Sequence, residues 1–216
     1  MPRRKILILV AIIAFAALTT TATAPPWQVK DWHLWTVDDC DWILQRSPWA
    51  SPFHTGEAGE TVNGRTASNA RVLITSSLAV RRALVKTSMR PNQQKIDACL
   101  NQDFSDRIVV TVVPKHDDDF ARAPELIISG RKYSAISAET VNLATDPCLN
   151  DSEAGNVFDL AHGGEFVGAL AFVYPRVVEG KPIIGPADKK FVVMSSKHRD
   201  FNFDIGKMIY EGKPDF

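Results

Sequence analysis

The sequence lacks the short motifs by which common enzyme classes are recognised. It contains no G-x-S-x-G elbow, no G-x-x-x-x-G-K phosphate loop, no G-x-G-x-x-G turn, no H-E-x-x-H helix and no C-x-x-C pair. The five histidines are scattered singly, at His33, His54, His116, His162 and His198. Such spacing is poor evidence of a metal or acid–base site. We therefore predict no cofactor and no metal, and we favour a non-catalytic protein over an enzyme.

An excess of charge of one sign is also missing. The chain carries 25 basic and 25 acidic residues, and its first 24 residues hold three of the basic ones and none of the acidic ones. The remaining chain therefore has 22 basic residues against 25 acidic ones. This balance offers no basic surface for nucleic acid and no attraction to an anionic surface. We predict no nucleic-acid partner.

Cysteine is scarce, with only Cys40, Cys99 and Cys148. In an oxidising compartment, three cysteines allow one disulfide and one leftover thiol. We predict a disulfide between Cys99 and Cys148, because Cys40 falls on the apolar stripe of a predicted helix and fits a small buried hydrophobe. Pairs that include Cys40 remain as alternatives.

The chain begins with the pattern of an export signal. Basic residues precede an uncharged apolar run over 6–18, and small residues follow up to Ala24. Cleavage after Ala24 would place Pro25 next to the scissile bond, so cleavage after Ala22 is an alternative. An uncleaved anchor is disfavoured, because the run has 13 residues and a spanning helix needs about 20. We predict a signal peptide over 1–24, a periplasmic or secreted protein, and no membrane insertion after cleavage.

A Trp-rich helical segment over 25–50 follows. It contains all five tryptophans, Trp27, Trp32, Trp35, Trp42 and Trp49. Thr36 is a suitable N-cap, two aspartates follow it in the first turn, and Pro48 disfavours helical geometry at the residue before it. These signals predict a helix over 37–46.

The predicted helix has apolar residues on one side and an indole on the other. At 100° per residue, the apolar stripe consists of Val37, Cys40, Ile43 and Leu44, and Trp42 lies nearly opposite. Trp42 therefore needs a second surface to cover it. In the interpretation that we favour, the tryptophans clamp the segment onto the core; in the alternative, they form an exposed aromatic binding face.

The rest of the chain predicts a single exported α+β domain over 25–216 with a mostly antiparallel sheet. The β-branched run over 108–113 predicts a central strand over 107–113 that is buried on both faces. A second central strand is predicted over 166–174, the longest apolar run after the signal. One or two helices are predicted between 77 and 101, and a short helical turn over 137–140.

Three short blocks stand in order along the chain: W-T-x5-W-I-L-x2-S-P-W-A over 35–50, S-S-L-A-V-R-x-A-L over 76–84 and F-x-I-x-x-M-I-Y-x-G-K over 203–213. Together they resemble a family of uncharacterised exported bacterial proteins. The middle block departs from the family pattern at Ile74 and Ala79, where that pattern has Trp and Pro. The resemblance implies export and a shared fold, and it transfers no activity and no catalytic residue.

If the blocks mark a shared surface, Trp42, Trp49 and Arg81 are the candidate binding residues. Trp49 would then be an aromatic anchor and Arg81 a fixed cation. In the structural alternative, Trp49 packs its indole against the end of the helix that Ser47 and Pro48 terminate, and Arg81 pairs with a nearby carboxylate. The sequence thus predicts an exported binding or envelope-associated protein of unknown ligand, which contacts a protein or envelope partner through the Trp-rich segment. An extracytoplasmic enzyme of unrecognised type is the alternative.

Overall fold

The computed structural model describes residues 24–52, 61–62, 65–66, 71–88, 93–113, 123–142, 160–161, 165–166, 168–195 and 200–216. The predicted signal peptide, except for Ala24, and Cys148 lie outside these ranges. Every helix in the described ranges is too short or too polar to cross a membrane.

The helices are α1 (Pro26–Val29), α2 (Val37–Arg46), α3 (Leu78–Thr87) and α4 (Gln93–Asn101), with 3-10 turns at Trp32–Leu34 and Ile205–Lys207. The first strands are β1 (Ala50–Pro52), β2 (Thr61–Val62), β3 (Arg65–Thr66), β4 (Arg71–Ile74), β5 (Arg107–Val113), β6 (Glu125–Ile128), β7 (Arg131–Tyr133), β8 (Ser137–Asn142) and β9 (Leu160–Ala161). The remaining strands are β10 (Glu165–Phe166), β11 (Gly168–Pro175), β12 (Val177–Val178), β13 (Lys181–Pro182), β14 (Lys190–Met194), β15 (Asp200–Asp204), β16 (Ile209–Tyr210) and β17 (Lys213–Pro214).

Two antiparallel sheets form the body of the protein. The larger has the strand order β1-β4-β5-β11-β8 and the smaller β15-β14-β6-β7. Further hairpins join β2 to β3, β9 to β10, β12 to β13 and β16 to β17. This arrangement confirms the predicted α+β class with a mostly antiparallel sheet, and α3 and α4 occupy the interval in which helices were predicted.

The two predicted central strands, β5 and β11, are neighbours in the middle of the larger sheet. Every residue of β5 from Ile108 to Val112 is buried. Because consecutive residues of a strand point to opposite faces, burial of all five shows that both faces of β5 are covered. On β11, the Tyr174 hydroxyl donates a 2.7 Å hydrogen bond to the Pro124 carbonyl just before β6. This bond ties the larger sheet to the start of the smaller one.

The prediction of a helical turn over 137–140 is wrong, because these residues begin strand β8. The strand pairs antiparallel with β11 from Ser137 opposite Val173 to Asn142 opposite Gly168. The local sequence offers polar residues that suit a turn, but β11 presents an edge of backbone donors and acceptors. Pairing with that edge outweighs the weak local preference.

The bounds of α2 agree with the prediction, and Thr36 is its N-cap. The Thr36 side chain accepts a hydrogen bond from the Asp39 N–H, and the Asp39 carboxylate accepts one from the Thr36 N–H, which completes a capping box. Three stripe residues, Cys40, Ile43 and Leu44, are buried. Val37 is not, since it is 66% exposed. The helical wheel gives the direction of Val37 around the axis, but the residue lies at the first position of the helix, where the body no longer covers it.

Candidate functional site

The three sequence blocks meet at helix α3, which carries part of the middle block. Arg82 of α3 donates hydrogen bonds to the Tyr210 hydroxyl and the Glu211 carboxylate, both in the third block. Its guanidinium also lies 5.2 Å from the ring centres of Trp32 and Tyr210, within the range of a cation–π contact. Burial works to lower the pKa of Arg82, but the bonds to Glu211 and Tyr210 outweigh it and raise that pKa.

Lys86, one turn further along α3, holds the Trp-rich segment. Its Nζ donates to the carbonyls of His33 at 2.5 Å and Trp35 at 3.0 Å. The Trp35 ring is buried 6.0 Å from the ring of Tyr210, and its Nε1 donates to the Lys30 carbonyl. The segment is therefore fixed to the same helix that holds the third block.

The N-terminus of α3 is bound by Asp215. The Asp215 carboxylate accepts hydrogen bonds from the Ser77 hydroxyl at 2.6 Å, the Leu78 N–H at 2.7 Å and the Ala79 N–H at 3.1 Å. The first N–H groups of a helix have no partner within the helix and carry partial positive charge. A carboxylate from a distant part of the chain binds two of them here, and the hydroxyl of the N-cap residue Ser77 accepts the Val80 N–H. The backbone carbonyl of the same residue accepts the indole N–H of Trp49.

The candidate binding residue Trp49 is completely buried. It lies in a row of three indoles that runs from the core to the surface. Trp27 contacts Trp49 edge to face at a ring-centre distance of 5.2 Å, and Trp27 contacts Trp42 at 4.9 Å. Trp27 is buried, whereas Trp42 is 36% exposed. Of these three, Trp42 is the one that presents an exposed ring.

The candidate Arg81 is also buried, at 6% exposure. Its Nη1 donates to the carbonyls of Cys99 at 2.6 Å, Leu100 at 3.2 Å and Gln102 at 3.2 Å, around the end of α4. These carbonyl groups lie at a helix C-terminus, where they have no partner within the helix. The structural alternative had predicted a carboxylate as the partner of Arg81. Burial lowers the pKa of Arg81 to about 10, and the nearby Asp215 partly offsets that effect.

Sequence reasoning missed most of the residues that join the blocks. Arg82 and Lys86 are four residues apart, and this spacing signals one helix face. Tyr210 and Glu211 belong to the third block but carried no mark of their role. Asp215 lies beyond that block, and no sequence pattern indicated that it binds the N-terminus of α3.

The two described cysteines differ in their surroundings. Cys40 is a buried free thiol, as predicted, and burial raises its pKa to about 11. A thiol with so high a pKa is almost entirely protonated near neutral pH and is a poor nucleophile. Cys99 is buried near the end of α4. Its bond with Cys148 stays a prediction, because Cys148 lies outside the described residues.

Within the part of the chain that the structure describes, exposed apolar side chains are concentrated in the Trp-rich segment. Large exposed hydrophobic residues in the described ranges are Val29, Leu34, Val37, Trp42, Ile136, Val177, Val178 and Ile209. Half of them fall between residues 29 and 42. In the same ranges, no three His, Cys, Asp or Glu side chains are grouped so that they would hold a metal ion.

Comparisons with protein-family models, curated proteins and solved structures found no match to this chain. The likeness to a family of exported proteins thus remains a resemblance of three blocks.

Proposed function

We propose that the protein is an exported, non-catalytic binding or envelope-associated protein whose partner contacts the Trp-rich segment. The observation that carries this proposal is the exposed ring of Trp42, which is held in place by the buried ring of Trp27. Aromatic side chains that are fixed before binding supply a large contact area at a small entropic cost. Trp42 has both properties.

The apolar neighbours of Trp42 in sequence support the same conclusion. Val29 and Leu34 both expose more than half of their surface. Single exposed hydrophobic residues are common on soluble proteins, but their concentration in one segment is typical of an interaction surface. We infer that the partner presents an apolar surface to this segment.

The Trp-rich segment is anchored before any partner arrives. Lys30 forms an ion pair with Asp39 at 2.8 Å, and Lys86 binds two carbonyl groups of the segment. The Lys30–Asp39 pair is worth little by itself, because surface ion pairs contribute at most about 1 kcal/mol. Together with the burial of Trp27 and Trp35, these contacts keep the segment on the body. A partner would therefore meet a preformed surface.

Co-sedimentation with envelope fractions tests the proposal. The exported protein is mixed separately with membranes and with cell-wall sacculi, and the bound fraction of the wild type is compared with that of Trp42→Ala and Ile136→Ala. Ile136 is a matched control, because it is apolar, 67% exposed and outside the segment. We expect binding to one fraction, at least fivefold weaker for Trp42→Ala and unchanged for Ile136→Ala. No binding to either fraction, or equal binding by all three proteins, would reject the proposal.

Export is the second part of the proposal and has a separate test. Intact mass of the protein recovered from outside the cytoplasm is expected to correspond to a chain that begins at Thr23 or at Pro25. A mass that retains the apolar run over 6–18 would show an uncleaved anchor.

An enzyme remains the alternative, and one contact is of the kind that a catalytic base would need. His33 Nδ1 lies 2.8 Å from the Asp31 carboxylate, an arrangement that can orient a general base. Local geometry accounts for the contact equally well, because the same carboxylate accepts the His33 N–H in an exposed 3-10 turn. The bond to that N–H is the main reason that the pKa of Asp31 is lowered. A turnover activity that is lost in His33→Ala, at unchanged stability, would establish the alternative.

A further inference from the structure

Three arginines surround one phenylalanine in the connection between α4 and β5. The guanidinium carbons of Arg81 and Arg107 lie 4.7 Å and 5.6 Å from the ring centre of Phe104. Arg176 Nε donates to the carbonyl of Phe104 at 2.7 Å and to that of Arg107 at 3.0 Å. The charges of Arg81 and Arg107 therefore lie at the Phe104 ring, and the Arg176 guanidinium lies beside them, 5.1 Å from the ring centre of Phe216.

The central strands place two of these arginines at the same end of the sheet. Arg107 begins β5, and it pairs with Pro175 at the end of β11. Arg176 comes next, and its backbone N–H donates to the Asp106 carbonyl at 2.9 Å. Both side chains therefore leave the same end of the central strand pair. Arg81 extends to the cluster from α3, and its guanidinium donates a hydrogen bond to the Cys99 carbonyl near the end of α4.

Unpaired polar atoms also gather at this place. Among the described residues, two donors of the cluster, Arg81 Nε and Arg107 Nε, are buried and have no hydrogen-bond partner. Arg107 Nε does lie 3.5 Å from the Asp106 carboxylate, but that distance is outside the usual range of a hydrogen bond. Buried polar groups are nearly always paired in native proteins, so a group of unpaired ones marks a position where a partner is missing.

The cationic charge of the cluster is not matched by hydrogen-bonded carboxylates. In the described residues, Arg81 and Arg176 donate to backbone carbonyls. Asp215 is committed to the start of α3, and Asp103 to Ser105. Burial lowers the pKa of Arg176, and the more distant carboxylates of Asp215, Asp106 and Asp103 offset that effect only in part.

From the cluster and its unpaired donors, we infer that Arg81, Arg107 and Arg176 form a binding site for an oxyanion, a phosphate or carboxylate group. Guanidinium groups bind such anions with two parallel hydrogen bonds, so Arg107 and Arg176 would hold the ligand. Arg81 is the most buried of the three and would stabilise its charge from inside. This site shares no residue with the Trp-rich segment and does not depend on the function proposed for that segment.

Isothermal titration calorimetry with inorganic phosphate, and separately with acetate, tests the inference at a constant ionic strength maintained with sodium chloride. We expect saturable binding of at least one anion by the exported protein. Arg107→Gln should weaken that binding at least tenfold, whereas Arg131→Gln, which removes an exposed arginine from β7, should leave it unchanged. Arg176→Lys keeps the positive charge but removes the planar guanidinium that can form two parallel hydrogen bonds, and it should weaken anion binding severalfold. Circular dichroism of each variant shows whether it is folded.

Two calorimetric outcomes would overturn the inference. One is the absence of saturable heat with both anions. The other is equal affinity of wild type, Arg107→Gln and Arg176→Lys, all folded, which would place the anion elsewhere. Melting temperatures separate specific binding from general salt effects. If the melting temperature rises linearly with phosphate concentration and equally in all proteins, the rise reflects exclusion of phosphate from the protein surface. That result would also count against a site.

Discussion

The indole N–H of Trp49 donates its hydrogen bond to the backbone carbonyl of Asp215, 166 residues further along the chain. The side chain of Asp215 meanwhile accepts three hydrogen bonds at the start of α3. One residue therefore links the end of the Trp-rich segment to the helix around which the three sequence blocks meet. We expect these parts to unfold together.

Asp215→Ala should lower the free energy of unfolding by about 2 kcal/mol, because it removes a charge-assisted cap and leaves N–H groups of α3 without an acceptor. Asp215→Asn retains one acceptor oxygen and should cost less. Urea denaturation followed by tryptophan emission measures both. If the two variants were as stable as the wild type, the carboxylate would contribute nothing as a cap.

Trp42→Ala should lower the free energy of unfolding by about 2 kcal/mol. If the Trp42 side chain were completely buried, the loss of unfolding free energy would be about 3 to 5 kcal/mol, as for a core truncation. If it were fully exposed, the loss would be about 0.5 kcal/mol or less. The 36% exposure of Trp42 places it between these limits. Trp49→Ala is the buried comparison and should cost about 3 to 5 kcal/mol. Thermal melts and acrylamide quenching measure the two effects, and a stronger loss at Trp42 than at Trp49 would contradict the observed burial.

Lys86→Ala should loosen residues 30–36, because it removes the donor to the His33 and Trp35 carbonyls. We expect a loss of stability of about 1 kcal/mol. Amide hydrogen exchange in the same residues should become at least several times faster, because local opening is easier. Lys132→Ala is a suitable control, since Lys132 is an exposed residue of β7. Unchanged exchange in Lys86→Ala would show that burial of the tryptophans alone holds the segment.

The disulfide prediction has a mass-spectrometric test. In the folded protein, an alkylating reagent should add no label, since Cys40 is buried and its pKa is raised. After unfolding without reduction one label is expected, and after unfolding with reduction three. Peptide mapping should link the peptide of Cys99 to that of Cys148. A linked peptide that contains Cys40 would refute the pairing.

Cys40 should make stability fall at alkaline pH. Its thiol pKa is raised from 9.0 to about 11 by burial, so folding favours the protonated form. The corresponding stability is fully present below pH 9 and is lost as the pH rises towards 11. The loss can reach about 2 to 3 kcal/mol, since each unit of pKa is worth about 1.4 kcal/mol. Denaturant titrations at pH 8 and pH 10.5 should therefore show a smaller decrease for Cys40→Ala than for the wild type. Equal decreases would exclude Cys40 as the cause.

Features set by neighbouring residues could be predicted from the sequence. Thr36 and Pro48 act on the backbone next to them, so the bounds of α2 were predictable. The run over 108–113 is β-branched throughout and, apart from Thr111, apolar on both faces, so its central position in a sheet was predictable as well. These signals need no knowledge of the rest of the chain.

Contacts between distant residues could not be predicted in the same way. The sequence over 137–140 is typical of a turn, and it forms the start of β8 only because its backbone pairs with β11. The acceptors of Arg81 are backbone carbonyls at the end of another helix, and a carbonyl group leaves no mark in the sequence. The N-cap of α3, Ser77, is a local feature, but the N–H groups of Leu78 and Ala79 are bound by Asp215, whose identity alone does not separate it from the other acidic residues. In each case the missing information is the position of a partner in space.

The row of Trp49, Trp27 and Trp42 has an optical consequence. With ring centres 5.2 Å and 4.9 Å apart, the excited states of these indoles interact, and energy absorbed by one passes to the next faster than it is emitted. Light absorbed by the buried Trp49 can therefore be emitted from Trp42 at the surface. A molecule that quenches Trp42 would therefore also reduce the emission that follows absorption by Trp49. The three indoles thus form an intrinsic fluorescent reporter of binding to the Trp-rich segment.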